Sequence, residues 1–406
     1  MRIALIAEHF PPLRSSCAVQ MRDLALELRD MGHQVTFLTP SAQISARWEI
    51  EDFAGIRLVR LKAFETRDRS YAVRMLGELA MPLLMLRNFR ASPLGNETFD
   101  GIAWYSPHIF FGPLVAALKK QSDCPAYLIL RDIFPEWAAD VGVMRRGPAY
   151  RFLQQIARYQ YRVADVIGVQ TPANQSFFEK AVARGKRVQV LQNWMREPVV
   201  GSCSIDLSVG PLSGRRIFVY AGNMGVAQGM DRLLDLAESL RDDASIGFAF
   251  VGRGSDAARL EKSAASLNLT NIAFHSEIPP EEIPGLYAQA DAGLVALDPR
   301  HRWHNIPGKF ISYMHAGLPV LALVNQGNDL IELIRTRDVG RVTTRAGSGE
   351  LPSRACELMG AIGPEMQARC RKLAADIFSA AAAARQLSEA LSLANDSASA
   401  SRRETL

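Results

Sequence analysis

The chain has 406 residues, 48% of them apolar and 22% charged, with a formal net charge of +5. That length exceeds what one hydrophobic core fills and suits two domains of a soluble globular protein. The mild basicity comes without runs of Lys or Arg, which excludes a nucleic-acid tail; it leaves a plain solvated surface, phosphorylated substrates or an anionic membrane surface as readings.

The opening segment, MRIALIAEHFPP, reads as a first strand and loop, since Pro-Pro and a helix follow it without a small-residue cleavage site. Helix 18–31, strand 34–39 and strand 56–61 come next. Residues 69–90 then form an apolar helix flanked by arginines and interrupted by Pro82. Such a helix either packs as an ordinary buried element or lies in a membrane interface with its guanidinium groups on anionic lipid. No run of 18 apolar residues occurs, so no bilayer-spanning segment is predicted. The five cysteines (17, 124, 203, 356 and 370) make no CxxC pair and read as buried thiols in a reducing cytosol. A cytoplasmic protein is expected, with the inner face of the plasma membrane as a peripheral site.

Strand 101–105, helix 110–120, strand 126–130, a helical region at 148–165 and strands 166–169 and 187–191 complete the first half. Short apolar strands alternating with helices predict a parallel sheet covered on both faces. Residues 198–215, PVVGSCSIDLSVGPLSGR, read as the linker, and hence as a hinge. A second alternation follows: strand 217–220, strand 247–251, helix 256–267, strand 272–274, helix 281–290, strand 293–297, helix 309–316, strand 319–323 and a helix near 329–335. A last helix over 377–394 is expected to pack back on the first domain, with 395–406 as a disordered tail. The fold class is therefore α/β, two Rossmann-like doubly wound parallel-sheet domains facing a cleft, bounded at 1–198 and 199–376.

Ligands of open parallel sheets bind beyond the carboxyl ends of the strands. The most informative of those loops follows strand 217–220. Gly222 opens a tight turn into a helix bearing Met230, Leu233, Leu234, Ala237 and Leu240, and its free amides are expected to face an anion. Gly252 and Arg253 end the next strand. Loop 298–309, DPRHRWHNIPGK, crowds Arg300, His301, Arg302, His304 and Lys309 beside the amide donors Asn305 and Gly308. A leaving diphosphate needs such positive charge and fixed N–H donors, which favours a phosphate site over a solvated basic loop. Gly327, Asn328 and Asp329 make another glycine turn, with Asp329 as the expected N-cap. In the first half, RDIFPEW places Arg131, Asp132 and Glu136 at a strand end, either as a structural ion pair or as an acceptor-binding or catalytic group. His108 sits at another strand end.

The order of these segments resembles the retaining GT-B glycosyltransferases of family 4 over nearly the whole chain. The carriers are HFPP…GHQVTFLT, YAGNMGVAQGMDRLL, VGRGSDAARLEK, IAFHSEIPPEEIPGLYAQADAGLV and NIPGKFISYMHAGLPVLA. RDIFPEW and GNMGVAQG resemble the branch that builds O-antigen and exopolysaccharide, including L-fucosamine transferases. The resemblance implies a UDP-linked N-acetylated or deoxy sugar as donor, a lipid-linked or lipopolysaccharide saccharide as acceptor, and no metal or other cofactor. It assigns donor binding to Gly222, Asn223, Gln228, Gly252, Arg253, His304, Asn305, Gly308, Ser312, Gly327, Asn328 and Asp329. Lys309, Arg131, Asp132 and His108 become the catalytic candidates, and Arg14, Ser15, Ser16 and Glu136 lie on the acceptor side. Asn223 and Gln228 replace the Arg and Lys usual on the diphosphate, His304 and Ser312 the usual glutamates, and Ser15 and Ser16 the usual glycines. Those departures leave two alternatives open, a catalytically weak binding or scaffold protein and a GT-B sugar-nucleotide epimerase.

Overall fold

The computed structural model describes the chain except residues 14, 66–70, 107, 141, 182–185, 226–227, 298–305, 345–348 and 404–406. The described residues divide into two compact units, Met1–Arg196 with Ala380–Leu406, and Glu197–Ser379.

The first unit runs β1 (Arg2–Ile6), α1 (Ser16–Asp30), β2 (Gln34–Ser41), β3 (Trp48–Phe53), β4 (Ile56–Lys62), α2 (Tyr71–Ala91), β5 (Gly101–Ser106) and α3 (Gly112–Ser122). It continues β6 (Ala126–Leu130), α4 (Glu136–Asp140), α5 (Pro148–Val163), β7 (Val166–Val169), α6 (Pro172–Ala181) and β8 (Arg187–Val190). Its sheet has the order β3-β4-β2-β1-β5-β6-β7-β8, with β3 antiparallel to β4 and the other pairings parallel. Central strands such as β5 and β6 are buried at every residue, as continuous apolar runs must be when helices cover both faces. β3 was not predicted. Its sequence WEIEDF is mostly exposed, and it is placed by the Ala54–Gly55 turn, where both residues take positive φ (52° and 80°).

The second unit runs β9 (Arg216–Ala221), α7 (Asp231–Ser239), β10 (Ile246–Val251), α8 (Ala257–Ser266), β11 (Ile272–His275), α9 (Ile283–Tyr287), β12 (Ala292–Ala296) and α10 (Gly308–Ala316). β13 (Val320–Leu323), α11 (Asp329–Arg337), β14 (Gly340–Thr343), α12 (Glu350–Ala361) and α13 (Pro364–Leu373) follow, and all pairings in the order β11-β10-β9-β12-β13-β14 are parallel. Leu233, Leu234, Leu236 and Ala237 of α7 pack into its core with Phe218, Tyr220, Phe248 and Phe250.

Two expectations are corrected. Residues 198–215 are not a free linker, because they are fastened to the second unit: Ser204 N donates to Glu282 Oε2 (2.6 Å), Leu207 N donates to Gln289 Oε1 (2.9 Å), and Leu207 and Leu212 are buried. The expected disordered tail is helical as far as Arg403, in α14 (Ala380–Arg403). α14 belongs to the first unit's core, where Ala384, Leu387 and Leu391 join Ile3, Leu5, Met21 and Leu24. Gly101 suits that packing, since a Cβ there would lie 2.8 Å from Leu391.

Candidate active site

In the second unit, the loops after β9 and β10 touch backbone to backbone. Gly222 N donates to Val251 O (2.9 Å), Met224 N to Arg253 O (2.7 Å) and Asp256 N to Met224 O (3.0 Å). Such proximity leaves no room for side chains: a Cβ at Gly252 would overlap the Gly222 carbonyl, and one at Gly254 the Met224 carbonyl. All three glycines take positive φ, 140° at Gly222, 147° at Gly252 and 157° at Gly254. The amides of Gly222, Met224 and Gln228 are thus spent on protein carbonyls, Gln228 N donating to Gly225 O (3.0 Å). The expectation that this turn offers free amides to an anion is corrected at those three positions.

The positive charge comes instead from α10. Lys309 is the second residue of that helix, next to Gly308, and its Nζ reaches back over β9. It donates to Tyr220 Oη at 2.7 Å and lies 3.9 Å from the centre of that ring. A Cβ at Gly222 would sit 3.7 Å from Lys309 Cε, an ordinary van der Waals distance, so the lysine side chain lies directly against this turn. Among the described residues no carboxylate pairs with Lys309. Burial alone drives its pKa down from 10.5 to about 7. A cation at a helix N-terminus also opposes the dipole. Both penalties are relieved by an anion.

The remaining donor-side candidates are spread along the same carboxyl edge. Asn223 is exposed, its backbone carbonyl accepting from Tyr220 Oη (2.6 Å). Arg253 is largely exposed and pairs with Glu277 (3.0 Å). The Ser312 hydroxyl turns back to the Gly308 carbonyl (3.3 Å). Gly327 takes φ 83°, and the N-cap of α11 is Asn328 rather than Asp329. Asn328 has the extended backbone a cap needs (φ −71°, ψ 128°), and its Oδ1 accepts from Leu330 N at 2.9 Å, while Asp329 is already the first helical residue. His304 and Asn305 lie outside the described residues, as does Arg14.

In the first unit, Arg131 is 4% exposed at the end of β6. Its Nη1 donates to Leu191 O (2.8 Å), its guanidinium lies 4.5 Å from the Trp194 ring, and Nε and Nη2 have no partner among the described residues. Trp194 in turn donates to Gln20 O (2.8 Å), and Gln20 Oε1 accepts from Tyr105 Oη (2.8 Å). Burial lowers the pKa of the Arg131 guanidinium from its ordinary value, and Asp132, the next residue, offsets part of that shift. Glu136 opens α4 and accepts from Gln154 Nε2 (3.1 Å). Ser15 is the N-cap of α1, accepting from Ala18 N (3.2 Å) with His9 Nδ1 at 3.1 Å, and Ser16 is the first helical residue. His108 is enclosed by Phe110 and Phe111, and burial pulls it to about 3, so it is a neutral packing ring near pH 7.

The structure therefore brings Gly222, Asn223, Gly252 and Lys309 together around Tyr220. Sequence reasoning missed Tyr220 and Gly254. An aromatic in an apolar strand carries no signal that distinguishes it from core. Among the described residues, no group of three His, Cys, Asp or Glu side chains forms a metal site.

Fold and site define a two-unit α/β protein with a lysine held on a tyrosine at the carboxyl edge of its second sheet. Residues 16–194 match the family described as "Glycosyl transferase 4-like domain", and residues 215–359 match "Glycosyl transferases group 1". The chain belongs to this GT-B, family 4 group of glycosyltransferases. It is 25% identical over 218 residues to the glycosyltransferase WbjE of Pseudomonas aeruginosa, a match over 52% of this chain that spans about half (54%) of that relative. To the colanic acid biosynthesis glycosyl transferase WcaI of Escherichia coli K12 it is 24% identical, over 83% of this chain and 86% of that one. Its fold is similar to that of HepE of Anabaena in complex with UDP-glucose (TM-score 0.64, 17% identity, 97% and 99% of the two chains). Sucrose-phosphate synthase of Thermosynechococcus elongatus is similar in the same way (TM-score 0.69, 16% identity, 96% and 97%).

Proposed function

We propose that this protein is a retaining glycosyltransferase that moves a sugar from a UDP-linked donor to a lipid-linked or lipopolysaccharide saccharide in surface-polysaccharide synthesis. The sugar is N-acetylated or deoxy, of the fucosamine type. The observation that carries the reading is Lys309, a lysine without a carboxylate partner among the described residues, at a helix start beside two glycine turns. Family membership supplies the reaction class. HepE, of similar fold, binds UDP-glucose, and WcaI bears a polysaccharide-biosynthesis name.

In this reading the bond from the anomeric carbon to the diphosphate breaks while the acceptor hydroxyl attacks the same face. The acceptor's proton passes to the departing phosphate oxygen. Lys309 neutralises the charge that develops there, so no protein nucleophile and no metal ion is called upon. The second unit holds the donor and the first the acceptor, near Ser15, Arg131 and Glu136. The exposed side of α2, which bears Val73, Leu76 and Leu83, is the surface this reading gives to anionic lipid. Nucleotide release from UDP-sugars, with and without a lipid-linked saccharide, tests the reading. Acceptor-dependent release is expected. Acceptor-independent release would point to an epimerase, and absence of release across a donor panel to a binding protein.

A further inference from the structure

We propose that Tyr220 is the positioning residue of the phosphate site, its hydroxyl fastening Lys309 to the turn that opens at Gly222. The inference rests on the donor-site reading above and adds a residue to it. The Asn223 carbonyl can only accept, so the Tyr220 proton is committed to it at 2.6 Å. The hydroxyl lone pairs are left for Lys309 Nζ at 2.7 Å. One N–H of the ammonium is thereby occupied, and the others, which meet no acceptor among the described residues, are left for a diphosphate oxygen. Lysine is a flexible point charge with no fixed fork, so it needs an external tie to hold one position.

Tyr220 is itself fixed. It is fully buried in β9, lies edge-on to Phe250 (6.1 Å between ring centres), and burial raises its phenol above the ordinary range, so it stays protonated. The groups facing this pair are Tyr313 on α10, whose hydroxyl donates to Val219 O (3.1 Å), and Tyr287 on α9, both also kept neutral by burial. The exposed Arg253–Glu277 pair lies on the neighbouring loops. Among the described residues, then, the lysine's charge is managed by one hydroxyl and one ring face.

Tyr220→Phe keeps the ring and removes the tie. Because Lys309 acts on charge that grows as the diphosphate leaves, kcat should fall tenfold or more while donor KM changes less than threefold. The alkaline limb of the pH–rate profile should also move to lower pH, since a bond favouring the charged amine is gone. Tyr313→Phe, which removes a buried hydroxyl that does not touch Lys309, should leave that limb in place. In a Lys309→Ala background, Tyr220→Phe should have no further effect. Wild-type kinetics in Tyr220→Phe, or an equal loss in both backgrounds, would overturn the proposal while leaving the donor site standing. If Lys309→Ala alone has no effect, it is the donor-site reading that fails. Should Tyr220→Phe not fold, 3-fluorotyrosine at 220 keeps shape and hydroxyl but weakens the acceptor oxygen, and an unmoved alkaline limb would again overturn the role.

Discussion

At the scale of single residues, the role proposed for Lys309 sets the reaction against the fold, and that opposition is measurable. Lys309→Met fills the same space without a buried charge. Thermal unfolding should show stabilisation on the order of 1 kcal/mol, about 2–4 °C for a unit of this size, while transfer falls at least tenfold. Lys309→Ala should lose transfer similarly. Asn223→Ala and Gln228→Ala should cost less, because neutral donors bind phosphate more weakly than an ammonium. The pH dependence follows from the lowered pKa of the free protein. Below about pH 7 the ammonium is already charged, so this group gives UDP-sugar affinity no slope. Above it the diphosphate must draw a proton onto Lys309, so the dissociation constant measured by calorimetry should rise with pH, by up to about tenfold per unit. The Lys309→Met variant should show no such slope.

At the scale of elements, α2 shows why one helix supported two readings in sequence. Met81, Met85 and Phe89 are buried, Asn88 donates to Lys62 O (2.9 Å), and Glu78 is paired with Arg74 (2.7 Å), so one side is ordinary core. The other side leaves Val73, Leu76 and Leu83 exposed at 52%, 68% and 59%, in line with exposed Arg87 and Arg90. Beside it an apolar cavity of about 260 Å³ is lined by Leu79, Pro82, Phe110, Pro113, Phe152 and Tyr159, among others. Leu76→Ser with Leu83→Ser should change the melting temperature little and reduce flotation with anionic, though not zwitterionic, vesicles. Unchanged flotation would assign the face to something other than lipid. The helix was legible because a long run of apolar side chains between arginines stands out by composition, which is silent on which side faces the core. β3 was not, because WEIEDF carries three carboxylates and is mostly exposed, so no apolar run marks it. Asp329 was expected as the cap of α11, but Asn caps as well as Asp, and the backbone angles give that place to Asn328.

At the scale of the whole molecule, the βα alternation, both sheets and the glycine turns were legible, since they follow from local periodicity and turn chemistry. The fate of residues 198–215 was not, because Gly, Ser and Pro report the absence of regular structure and are silent on what that backbone bonds to. Likewise the site's Tyr220–Lys309 contact joins residues 89 apart, a relation no local pattern carries. The return of α14 to the first unit has a stability consequence: ending the chain after Ser379 should uncover Ile3, Leu5, Met21 and Leu24. The first unit's unfolding transition should then fall well below that of the second in calorimetry. The same arrangement bears on how the protein is made. The half made first leaves the ribosome without the helix that closes its core, and its apolar surface stays uncovered until residues 380–403 have followed. The later half holds all its own parts and can finish first. Translation order and folding order are thus reversed, and the nascent first unit is where a chaperone would have most to do.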